Sequence, residues 1–202
     1  VVLVAVAERL VGALALGDRV RAEAPAVVAA LRREGVEVFL ATGDHPGAAQ
    51  AVARVAGITH LFARLTPAEK RDLVRRLQRA GRKVAFVGDG INDAPALMQA
   101  DVGVAIVTGT DIAIESADVV IPGHRLWAVV EARALARASY RLTVRNLLLA
   151  LGVNATGVLA ALTGGLPPAW AMAAMALSLS AVVGQTMAAR LLPAREPGGA
   201  SA

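Results

Sequence analysis

The sequence predicts an α/β domain built on a parallel sheet, followed by a two-helix transmembrane hairpin. Short β-branched runs alternate with helical segments through the first part of the chain, the pattern that a parallel sheet with crossover helices requires. The charges then stop. Of 202 residues, 19 of the 21 Lys and Arg and 15 of the 16 Asp and Glu precede Asn146, and the 44 residues from Asn146 to Ala189 contain no Asp, Glu, Lys, Arg or His. That segment is why the hydrophobic content reaches 56%, where a soluble domain carries roughly 45 to 50%.

The first clear strand is Val36 to Leu40, which ends at Thr42-Gly43-Asp44. Pro46 to Ala56 reads as a helix stopped by Gly57. Thr66-Pro67-Ala68-Glu69 combines a capping threonine, a proline at the first helical position and the matching glutamate. A helix therefore runs from there to Ala80, with Gly81 closing it and its arginines forming a solvated face. Lys83 to Val87 is the next strand, ending at Gly88-Asp89-Gly90, and Val102 to Ile106 and Val119 to Ile121 continue the sheet. The tail from Pro193 to Ala202 reads as disordered. The predicted organisation is 1–140 for the sheet domain, 141–192 for two transmembrane helices and 193–202 for the tail.

A bilayer needs roughly 20 apolar residues per helical span, so the uncharged run holds two spans if a turn divides it. Thr163 to Pro168, with its paired glycines and prolines, supplies that turn and leaves Asn146 to Leu162 and Ala169 to Ala189 as the spans. Arg137, Arg141 and Arg145 precede the first and Arg190 and Arg195 follow the second. The positive-inside rule then puts both ends in the cytoplasm. Two buried helices of a soluble core would leave so long an uncharged run without a solvated face. Val1 to Ala7 is too short and too poor in basic residues for a signal peptide, and a first residue other than Met fits a fragment.

The absence of cysteine excludes a disulfide framework, a thiolate metal site and a Cys nucleophile. The net charge of +5 is 21 basic against 16 acidic residues; the excess of 19 Arg over 2 Lys looks like the codon bias of a GC-rich bacterial genome, and the charge is too dispersed to imply a nucleic-acid partner. The polar groups collect at strand ends, where such folds bind ligands. Asp89 and Asp93 lie four residues apart after a strand, with Asn92 between them; hard oxygen ligands at a helix start suit Mg²⁺. Thr42 offers a hydroxyl and Gly43 an N–H to a phosphoryl oxygen, and Lys70 offers a positive charge. Singly, Gly-Asp-Gly also reads as a turn and Lys70 as a surface lysine. His45, His60 and His124 lack metal-ligand spacing and read as surface residues.

Taken in order, Thr42-Gly43-Asp44, Lys70 in Thr-Pro-Ala-Glu-Lys, and Val87-Gly88-Asp89-Gly90-Ile91-Asn92-Asp93-Ala94-Pro95 resemble the phosphorylation domain of a P-type ATPase, within the haloacid dehalogenase-like superfamily. The resemblance continues through Ala100 to Ala105 and Gly109 to Asp118, and upstream to Asp18 and Arg21. It implies that Asp89 binds Mg²⁺, that Asn92 and Asp93 shape that site, and that Thr42 and Lys70 hold the phosphoryl group. Asp44 then contacts the nucleotide region or orders its loop, and His45 stands where the family often has asparagine. The family's phosphorylated aspartate lies in an Asp-Lys-Thr-Gly-Thr motif that these residues lack. The resemblance therefore implies the carboxyl-terminal portion of a longer pump, unable to hydrolyse ATP alone. Its partners are then the membrane lipid and the pump's earlier helices, actuator domain and nucleotide-binding domain, the last holding most of the ATP.

Two helices after the phosphorylation domain narrow the resemblance to heavy-metal, P1B-type ATPases, and imply a multi-pass protein of a bacterial plasma membrane. Zinc and cadmium pumps of this kind use an acidic residue in the final helix and a lysine in the one before, and neither occurs here. Copper pumps use Tyr-Asn and Met-Ser-x-Ser-Ser; here the first reads Val153-Asn154 and the second Met175-Ala176-Leu177-Ser178-Leu179. Asn154, Met175 and Ser178 are thus candidate contacts for Cu⁺, a soft ion suited to a thioether. They also suit interhelical hydrogen bonding and packing, so both readings stand. A pump for another metal, and a truncated non-catalytic protein anchored in the membrane, remain as alternatives. A small phosphatase would need an Asp-x-Asp pair after an early strand, where Val1 to Ala7 leads into Glu8-Arg9.

Overall fold

The computed structural model describes residues 2–6, 9–14, 19–88, 91–107 and 115–162, with 164, 170, 173, 175–178, 180, 183–184 and 187. Asp89, Gly90, residues 108–114, most of the predicted second span and the tail lie outside these residues. The chain divides into two units, Val1–Ala132 and Arg133–Ala202.

The first unit opens with an element that the sequence pattern hides. Strands β1 (Val2–Val6) and β2 (Arg9–Leu14) form an antiparallel hairpin with an irregularity between Val4 and Ala5. Apolar residues run consecutively there instead of alternating, and Val6, Leu10 and Val11 are exposed, so no period-2 signal marks it. Helix α1 (Ala24–Arg33) follows, with Pro25 in its first turn and Val27, Val28 and Ala30 on its buried face.

The strand expected at Val36 to Leu40 is displaced to β3 (Phe39–Ala41). Closure of α1 is the cause: the Gly35 N–H returns to Arg32 O and the Val36 N–H to Leu31 O, with Gly35 at φ 77°. Val36 has no N–H left for a strand ladder. Helix α2 (Pro46–Ala56) matches the expected bounds, and its stop residue Gly57 is left-handed at φ 72°. Strand β4 (His60–Phe62), too short to read from sequence, pairs parallel to β3 with Phe39 opposite His60.

Helix α3 (Pro67–Arg79) carries the full capping box. Glu69 Oε2 accepts from the Thr66 N–H at 2.8 Å while the Glu69 N–H donates to Thr66 Oγ1 at 3.3 Å. Strand β5 (Ala85–Gly88) starts two residues later than expected, because Asp101 Oδ2 takes the Val84 N–H at 3.0 Å. A single 3₁₀ turn (Ile91–Asp93) and α4 (Ala94–Gln99) lead into β6 (Val102–Val107), and β7 (Val119–Pro122) completes a parallel β5-β6-β7 sheet. The expected continuous sheet is therefore two hydrogen-bonded groups among the described residues, β3-β4 and β5-β6-β7. Leu97 is almost fully buried, and a Cβ on Gly103 would lie 2.7 Å from Leu97 O. Only glycine lets α4 sit that close to β6.

The last helix, α5 (Trp127–Leu162), has 36 residues. The expected span from Asn146 is only its later part, and Arg137, Arg141 and Arg145 stand on the helix itself. Its segment Trp127–Ala160 is long and apolar enough to cross a membrane, and none of its most apolar window is buried. At 1.5 Å per residue α5 is about 54 Å long, against a hydrocarbon core of about 30 Å.

Candidate functional site

The loops leaving β3, β4 and β5 carry the polar groups that the motifs singled out. Thr42 follows β3 and is tied across the β3-β4 pair, its N–H donating to Phe62 O at 2.9 Å. Its carbonyl accepts the Leu65 N–H at 3.0 Å and the Asp44 carbonyl accepts the Arg64 N–H at 3.0 Å. The loop after β3 is thus laced to the segment that enters α3. Asp44 serves this loop directly, since Thr42 Oγ1 donates to Asp44 Oδ2 at 2.8 Å and the Asp44 N–H donates back to Thr42 Oγ1 at 3.1 Å. Gly43 is exposed, and a Cβ there would meet Leu65 O at 3.4 Å. His45 starts α2, with Nδ1 accepting the Gly47 N–H at 3.4 Å.

Lys70, one turn into α3, is no surface lysine. Its ammonium donates to Asp93 Oδ1 at 2.7 Å, and the two side chains are only 14% and 12% exposed. Asp93 is buried at the junction of the 3₁₀ turn and α4. It occupies space that a side chain at position 88 would claim: a Cβ on Gly88 would lie 2.8 Å from Asp93 Oδ2 and 2.8 Å from Asp93 Cβ. The sequence pattern treated Gly88 only as a turn residue, whereas the structure makes it a requirement of the Asp93 position. Asn92 is exposed in the 3₁₀ turn. The structure therefore joins Lys70 to Asp93 and Thr42 to Asp44, while Asp89 lies outside the described residues.

Two further carboxylates, Asp101 and Asp118, which lie in the segments carrying the resemblance but had no role there, hold these strands. Asp101 accepts from Lys83 Nζ at 2.8 Å, from the Val84 N–H and from Gln78 Nε2 at 3.1 Å. The Lys83 ammonium, then the Val84 N–H and Gln78, hold its carboxyl well below the usual carboxylate range. Asp118 Oδ2 accepts the Gly103 N–H at 2.8 Å, joining the start of β7 to β6. At the other end of the first parallel pair, Glu37 bridges Arg82 and His60, and chiefly the Arg82 hydrogen bond lowers its carboxyl. His60 stacks on Phe39 at 4.8 Å.

The described residues thus assemble a glycine-edged strand end, a buried Lys–Asp pair and a threonine loop tied to its own aspartate. Residues 1–101, half of the chain, match the haloacid dehalogenase-like hydrolases. The chain belongs to the haloacid dehalogenase-like hydrolase family. Within that family it is 46% identical over 189 residues to "Copper-transporting ATPase 1" of Rhizobium meliloti (strain 1021), an alignment that covers 90% of this chain and 23% of that relative. It is 44% identical over 181 residues to the "Copper-exporting P-type ATPase" of Staphylococcus aureus (strain JH9), with the same shares. Among solved structures, a zinc-transporting PIB-type ATPase in the E2.Pi state superposes with a TM-score of 0.82 at 34% identity, covering 92% of this chain and 30% of that one. This haloacid dehalogenase-like chain thus spans less than a quarter of the length of these curated relatives.

The candidate ion contacts are less assembled. Asn154 lies on α5 and is exposed, Met175 is exposed, and Ser178 is buried. Among the described residues no three His, Cys, Asp or Glu side chains gather as a metal site.

Proposed function

We propose that this chain is the carboxyl-terminal part of an ATP-driven heavy-metal cation pump that exports Cu(I) across a bacterial plasma membrane. Residues 1–140 serve as its phosphorylation domain and 141–192 as its last two transmembrane helices. The carrying observation is the buried Lys70–Asp93 pair at the end of β5, in a chain whose next long element is a membrane-length helix. The likeness to copper-named relatives over 90% of the chain supports the same reading.

In this reading Lys70 and the Thr42 hydroxyl hold the transferring phosphoryl group, and Asp44 sets the direction of that hydroxyl through its hydrogen bond. The donor set fits Mg²⁺. Asp93 is a buried hard-oxygen donor with Oδ1 hydrogen-bonded to Lys70, its Oδ2 packed against Gly88. Asp89 and Asp93 would hold the ion, with Asn92 shaping its site. When bound, Mg²⁺ neutralises charge on the phosphoryl oxygens. The nucleophile and most of the ATP contacts belong to parts of the pump outside these residues.

The uncharged run from Asn146 to Ala189 offers no carboxylate or imidazole to a divalent ion. A monovalent soft ion is less costly to desolvate and suits Met175 sulfur with Asn154 and Ser178 oxygens. Zinc transport is the second reading, favoured by the solved structure with a TM-score of 0.82. In the full-length pump, Asp89→Asn should abolish Mg²⁺-dependent phosphorylation, and Cu(I) or Ag(I), not Zn²⁺, should stimulate turnover. Met175→Ala should weaken that stimulation while phosphorylation from inorganic phosphate persists. Near-normal ATPase activity in Asp89→Asn sinks the phosphoryl assignment, and activation by Zn²⁺ alone transfers the assignment to the second reading.

A further inference from the structure

We propose that Glu23 is the positioning residue that fastens the first turn of α5 to the α/β unit, so that rearrangement at the phosphoryl site reaches the membrane helix. The proposal rests on the pump reading above and adds the element through which it acts.

The carboxylate of Glu23 accepts two backbone donors more than 100 positions away, the Leu126 N–H at 2.5 Å and the Trp127 N–H at 3.2 Å. Its own backbone meanwhile begins α1, with the Val27 N–H donating to Glu23 O at 3.0 Å. One residue therefore starts one helix and caps another. A helix start leaves four N–H groups without intrahelical partners and favours a negative charge nearby. Helix α5 has no acidic residue in its own first turn, so the charge is supplied from α1. Arg21 adds a second grip, its guanidinium donating to His124 O.

Apolar packing closes the joint from the other side. Leu126 packs against three buried clusters, one of Ala24, Val28 and Ala56, one of Val27, Ala30 and Val130, and one of Val104, Ile106 and Ile121. Strands β5 and β6 are hydrogen-bonded neighbours from Ala85 opposite Val102 to Gly88 opposite Ala105, so the sheet that ends in Gly88 also supports the start of α5. The hydrogen bonds of the Glu23 carboxylate go to Leu126 and Trp127, and those of the Thr42, Asp44, Lys70 and Asp93 side chains go elsewhere. The effect of Glu23 must pass through the helix start.

Coupling of ATP use to ion movement tests this in the full-length pump reconstituted in proteoliposomes. With Glu23→Ala, phosphoenzyme formation should stay within twofold of wild type while metal transported per ATP falls at least fivefold. Glu23→Gln, which keeps one acceptor oxygen, should recover part of that ratio. An unchanged ratio, or a proportional loss of phosphorylation and transport together, overturns the proposal. In the 202-residue chain in detergent micelles, hydrogen exchange over 124–129 should rise about tenfold in Glu23→Ala, with 67–79 unchanged. Unaltered exchange there also overturns it. A wild-type pump that moves no metal instead overturns the pump reading, and the exchange result still decides the cap.

Discussion

Gly88 and Asp93 share one volume: a Cβ on Gly88 would lie 2.8 Å from the carboxylate oxygen that faces it. Glycine at the end of β5 is thus a steric condition for the Lys70–Asp93 pair, independent of any backbone dihedral. Gly88→Ala should push the Asp93 carboxylate off Lys70, destabilising the fold by about 1–3 kcal/mol as overpacking does. It should also lower phosphorylation of the full-length pump at least tenfold. Denaturant unfolding together with a phosphorylation assay checks both, and a variant with wild-type stability and phosphorylation contradicts the steric reading.

Lys70→Met removes the charge partner of a carboxylate that is almost out of solvent. The stranded acceptor should cost about 1–3 kcal/mol. Asp93→Asn in the same chain should recover part of that loss, because the uncompensated charge is gone. A double-mutant cycle measured by urea unfolding gives the coupling directly. A coupling energy near zero would mean that the pair contributes nothing to the fold.

Asp101 predicts an acid limb in stability. Its folded carboxyl is held below the ordinary value, first by Lys83 and then by the Val84 N–H and Gln78, so the folded state favours the ionised form. That contribution is complete above the unfolded carboxylate value of about 4. It is lost as pH falls through the lower folded value. Thermal midpoints between pH 7 and pH 3 should therefore fall less steeply in Asp101→Asn than in wild type. Identical acid limbs in the two proteins count against the assignment.

The uncharged run predicts topology. A reporter fused after Gly165 should behave as extracytoplasmic and one after Arg195 as cytoplasmic, because arginines flank the run at both ends. If both report one side, the hairpin is absent.

Elements whose signals are local were legible in the residues alone. The Thr66–Glu69 capping box, Pro46 and Gly57 around α2, and the charge-free run all depend on neighbours within a few positions, where backbone hydrogen bonding and solvation act directly. The motifs around Thr42, Lys70 and Asp93 were likewise legible as a resemblance, which named these residues but not which of them meet. Other features were decided only by tertiary structure. The β1-β2 hairpin lacks alternation, β4 is three residues long, and the start of β3 waits on the closure of α1. Whether Lys70 faced solvent or a carboxylate depended on α3 lying beside the turn after β5, which no spacing encodes. The cap of α5 by Glu23 spans 103 positions, a separation over which no local pattern carries a signal. Local rules determine which residues begin and end elements; which side chains meet is set by packing, where burial leaves a charged group no partner but the one that the fold brings to it.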